Sequence, residues 1–128
     1  MATTTAQLTL SSTDLTSDAL SLTTTATLTD TGSTTGVTQT EGLSRKTTSS
    51  NSQYTLFNAA PHTVYIKNCS ATASEYVSIA ISGEEIGRLY AGDWMFIPWG
   101  AHDTDNDLKV TPSVTTSLTV EYMLIIAV

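Results

Sequence analysis

Basic residues are few and scattered in this sequence. Five stand among its 128 residues, Arg45, Lys46, Lys67, Arg88 and Lys109, against twelve acids, for a net charge of -7. Neutralising phosphates needs clustered Lys and Arg, so a nucleic-acid partner is not expected. The same charge disfavours anionic membrane surfaces. Cysteine is nearly absent. Cys69 stands alone, so no internal disulfide forms, which fits synthesis in a reducing cytoplasm. Long apolar runs are missing too: the longest, "YMLIIAV" at 122–128, falls far short of the ~18–20 residues a membrane helix requires. "MATTTAQLTL" has no basic start and no apolar core of signal-peptide length, so no secretion is expected. With that, the sequon Asn68-Cys69-Ser70 is expected to be idle.

Aromatic residues and proline do not occur before residue 53, where about half the residues are Ser or Thr. This polar half still has order. "AQLTL" puts Leu8 and Leu10 on one face, and "ALSLTTTATLT" does the same for Leu20, Leu22, Thr24, Ala26 and Leu28. Regular alternation of this kind indicates half-buried strands rather than a solvated linker. We therefore read residues 1–53 as an extended Thr/Ser-rich arm or β-hairpin region. "TDTGSTTGV" at 29–37 reads as a hairpin or loop.

Residues 54–128 read as one domain of short strands. "QYTLFN", "TVYIKN", "EYVSIAIS", "IGRLY", "WMFIPW", "LKVT" and "LTVEYMLIIAV" are separated by turn residues such as Pro61, Gly83 and Ala91-Gly92-Asp93. β-Branched Thr reinforces extended backbone. Many short strands at this spacing indicate an all-β sandwich or barrel. No segment carries a helical pattern.

Candidate chemistry is sparse. Asp103, Asp105 and Asp107 alternate in "HDTDNDLK", as the opening of a calcium loop does, but the required glycine and downstream Glu are missing. These acids are a weak metal candidate, and turn capping explains them as well. His62, His102 and Cys69 form no local catalytic arrangement, and no Gly-x-Ser-x-Gly elbow is present. An enzyme is not expected, and neither catalytic residues nor cofactors are assigned.

The strongest signal is apolar. In "WMFIPW", Trp94, Phe96 and Pro98 share one face, with Met95, Ile97 and Trp99 on the other. In the last strand Tyr122, Leu124 and Ile126 oppose Met123, Ile125 and Ala127. One core explains one face of each strand. Burying a large apolar side chain contributes roughly 1.5–3 kcal/mol, so a second apolar face is expected to meet another surface. Trp94, Phe96, Trp99, Tyr122, Leu124 and Ile126 are the candidate interface residues.

The second half also resembles a known pattern. "TVYIKNCSATASEYVSIAI", "IGRLYAGDWMFIPW" and "DLKVTPSVTTSLTVEYMLI" are similar to segments of small bacteriophage virion proteins, over residues 63 to 125. The matching features are Lys67-Asn68, Val77 to Ile81, Leu89 to Pro98, Asp107 to Val110 and Val120 to Tyr122. The resemblance implies an antiparallel β-sandwich, jelly-roll-like, acting as a capsid decoration (cement) protein or a tail component. It carries no active-site residues. It implies two partners, the major capsid protein and further copies of the chain itself, as a trimer. The implied location is the capsid surface of the virion. Leu8, Leu10, Leu20, Leu22, Arg45 and Lys46 would then belong to a capsid-contacting arm. Two alternatives remain at this point. One is a tail or fibre component that binds a host-surface glycan through the Trp94/Trp99 region. The other is a calcium-dependent carbohydrate module on Asp103, Asp105 and Asp107.

Overall fold

The computed structural model describes residues 3–15, 17–29, 39–56, 63–98 and 108–126. Ten strands and no helix occur among them: β1 (Thr3–Ser12), β2 (Leu20–Thr29), β3 (Gln39–Thr48), β4 (Tyr54–Thr55), β5 (Thr63–Asn68), β6 (Tyr76–Ile81), β7 (Glu84–Tyr90), β8 (Trp94–Pro98), β9 (Leu108–Pro112) and β10 (Leu118–Ile126). Every pairing is antiparallel.

β1 and β2 form a two-stranded ribbon ten residues long, in register from Thr3↔Thr29 to Ser12↔Leu20. The expected Leu alternation sets that register, since Leu10 pairs with Leu22 and Leu8 with Thr24. The other strands form two four-stranded sheets, ordered β3-β10-β5-β8 and β4-β9-β6-β7. The Thr/Ser-rich stretch of residues 1–53 is thus shared between the separate ribbon and the first of these sheets, which takes β3.

The pairings have a simple logic. β6 pairs with β7, β5 with β8, β4 with β9 and β3 with β10. The chain from Gln39 to Ile126 is thus one long hairpin with its tip at β6–β7, and successive rungs fall alternately in the two sheets. At the tip Ser82 and Gly83 both have positive φ, 49° and 87°, the geometry of a two-residue hairpin turn that follows the strand twist.

Both sheets contribute to one core. Val64, Ile66, Leu118, Val120 and Leu124 from the first sheet cluster with Val77, Ile79, Leu108 and Val110 from the second, all nearly inaccessible to solvent. Period-2 alternation selects these residues: β5 sends Val64 and Ile66 inward, and β9 sends Leu108 and Val110. Met95, Ile97 and Tyr122 pack against the same core.

The loop from β7 to β8 is tightly anchored. Gly92 has φ 84°, as the third residue of a type II turn requires, and Asp93 N donates to Tyr90 O at 2.9 Å. The turn docks on the end of β5: Gly92 N donates to Asn68 O and Asn68 N to Asp93 O, each at 3.0 Å. The Asn68 side chain, fully buried, donates to Glu75 O and Leu89 O and accepts from Ser70 N. In the folded chain the whole Asn68 amide is committed to these bonds, with no room beside it for a glycan.

Candidate functional site

The two apolar flanks seen in the sequence are divided by the sheet. On β8, Met95 and Ile97 face the core, so Trp94 and Phe96 face outward. On β10, Leu118, Val120, Tyr122 and Leu124 face inward, leaving Thr119, Glu121, Met123 and Ile125 outside. Leu124, expected at an interface, is 3% exposed within the chain's own core, and Tyr122 packs beside it. Of the outward set Ile125 and Glu121 are also buried, at 4% and 8% exposure, so Thr119 and Met123 are the β10 residues left partly open on that face. Trp99, Asp103, Asp105, Asp107 and the side chain of Ile126 lie outside the described residues.

Register arranges the outer face of β3-β10-β5-β8 in two cross-strand rows. Leu43, Met123, Tyr65 and Phe96 form an apolar row, and Arg45, Glu121, Lys67 and Trp94 form a polar one. Cross-strand neighbours on one face lie about 4.5–5.5 Å apart, so each row is a continuous strip. Leu43 is 61% exposed and Trp94 52%. The sequence reading missed Leu43, Tyr65, Met123 and Ile125. Alternation in "TVYIKN" and "YMLII" separates Tyr65, and Met123 with Ile125, from their inward neighbours, but only the cross-strand register puts them on the face that holds Phe96.

The polar row centres on Glu121, whose side chain is 11% exposed. Arg45 donates to it from Nε at 2.8 Å and from Nη2 at 2.7 Å, and the Tyr65 hydroxyl donates at 3.1 Å. The Arg45 hydrogen bond holds the Glu121 carboxyl below its ordinary value, with Tyr65 adding to the effect and desolvation opposing it. The same pair raises Arg45. Burial, then the bond to Glu121, raises Tyr65. Lys46, expected beside Arg45 in the arm, points to the other side, with Nζ 4.7 Å from the centre of the Tyr54 ring. Both bases lie on β3 and are held by contacts within the chain.

The ribbon stands next to this face. Thr5, Ala6, Gln7, Leu8 and Thr24 share with Tyr65, Trp94, Phe96, Met123 and Ile125 the walls of an open groove of about 460 Å³. The edge of β1 thus reaches the outer sheet without filling the space between them. Leu8, Leu10 and Leu22 remain 41%, 45% and 44% exposed. Leu20, also expected in the arm, is half-buried.

Tyr90, four residues before Trp94, is placed on the second sheet, at the end of β7. Its ring centre lies 5.5 Å from that of Tyr76, and Arg88 covers Tyr76 at 4.6 Å while pairing with Glu85 at 2.9 Å. This cluster is spent within the β6–β7 hairpin. Among the described residues, no group of three or more His, Cys, Asp or Glu side chains is placed to hold a metal ion. Cys69 is half-buried at the end of β5. No helix among the described residues is long and apolar enough to cross a membrane.

No protein-family model matches the sequence, and no curated protein matches it.

Proposed function

We propose that the chain is a non-enzymatic structural protein of a bacteriophage virion, a decoration (cement) protein that binds the outer head shell and stabilises it. In this reading residues 39–126 form a β-sandwich of jelly-roll type, and the β1–β2 ribbon is its extended arm. The nested pairing of eight strands in two sheets supports the jelly roll, an architecture used by viral capsid proteins and by lectins.

The observation that carries the reading is the outer-face strip in which Leu43 and Trp94 are more than half exposed and Met123, Tyr65 and Phe96 partly exposed, beside a ribbon whose Leu8, Leu10 and Leu22 are close to half exposed. Contiguous apolar surface of this kind marks an interaction site. Clamping a shell needs contact surfaces and reach, and no bond-making chemistry. Trp94 and Leu43 would serve as anchors, each contributing roughly 1–2 kcal/mol when the half still exposed is covered. The partners are the major capsid protein and further copies of the chain, a trimer at a symmetry-related junction. The protein would be made in the host cytoplasm and reside on the capsid surface.

The test compares shells assembled with and without the protein. The reading expects loss of heat or pressure resistance without it, restoration on adding the purified chain, and a copy number per virion of capsid order. A few copies per particle, or no change in shell resistance, would overturn it.

The groove favours a second reading, a tail or fibre component that binds a host-surface glycan. Its volume lies in the range of small-molecule sites, and Trp94, Phe96 and Tyr65 wall it beside the amide of Gln7. Titration with sugars should then change tryptophan fluorescence in the wild type and not after Trp94→Ala. An unchanged wild-type signal removes this reading.

A further inference from the structure

We draw no further inference here: the strongest candidate, the open apolar groove of about 460 Å³ between the β1–β2 ribbon and the outer face of the β3-β10-β5-β8 sheet, belongs to the surface already described, and nothing in the structure shows what covers it beyond the chain's own ribbon.

Discussion

Leu124 and Leu43 are the same residue type on adjacent strands of one sheet, facing opposite sides, and truncating each to alanine gives opposite expectations. Leu124 is 3% exposed among Val64, Ile66 and Val120. Leu124→Ala removes three carbons, about 2.4 kcal/mol of transfer free energy, and the cavity left behind brings the cost to about 3–4 kcal/mol. For a domain of the size of residues 39–126, each kcal/mol shifts the melting temperature by about 4–8 °C, so the variant should melt roughly 12–30 °C lower. Leu43 is 61% exposed. It has less than half of a buried leucine's stabilisation to lose, and Leu43→Ala should cost about 1 kcal/mol or less. In the proposed multimer its effect belongs to association, which the variant should weaken. Differential scanning calorimetry at low concentration, paired with sedimentation at high concentration, reads both. If Leu124→Ala melts within a few degrees of the wild type yet dissolves the multimer, β10 faces a partner where we place the core, and the inside–outside assignment of the sheet fails.

Three further predictions follow from single contacts. Glu121 has a depressed carboxyl pKa, so its contribution is complete above the ordinary value near 4.5 and is lost as pH falls through the lower, folded-state value. Glu85, lowered by hydrogen bonds from Ser78 and Arg88, acts with the same sign. Glu121→Gln should therefore flatten the acid limb of a stability–pH curve from chemical denaturation, and an unchanged limb would contradict the pairing with Arg45. Asn68→Ala removes two donated bonds and one accepted bond at a fully buried position, so its unfolding free energy should fall by at least about 2 kcal/mol in urea titration. Gly92→Ala places a side chain at φ 84° with open space around it, so its cost is conformational alone, about 1–2 kcal/mol; Gly87→Ala, free of that restraint, should be neutral or slightly stabilising. Equal melting shifts for the two glycine variants would contradict the turn geometry.

Much of the strand content was legible because alternation is a local signal. Val64 and Ile66, or Val77 and Ile79, declare an inward face within six residues. β3 was not legible, for physical reasons. It is an edge strand, and "QTEGLSRKTT" contains one apolar residue, Leu43, which points outward. Its inward position Thr48 is buried through a hydrogen bond from Oγ1 to Leu118 O, 70 residues away. Gly42, with φ 83°, further breaks the appearance of a strand. The sequence also announced two apolar flanks on β8 and β10 without saying which flank met the core. That choice is made by the partner strands: Tyr65 and Met123 join Phe96 on the outside because register places them side by side. The Arg45–Glu121 pair depends on the same long-range register and leaves no mark in either local segment.

The proposal that joins these results is that the outer face of β3-β10-β5-β8 is an interface with another copy of the chain. Sedimentation equilibrium of the unmodified protein across a dilution series tests it most directly. The account predicts a mass that is a whole multiple of 13.6 kDa and dissociates only on dilution. A single 13.6 kDa species at every concentration would contradict it.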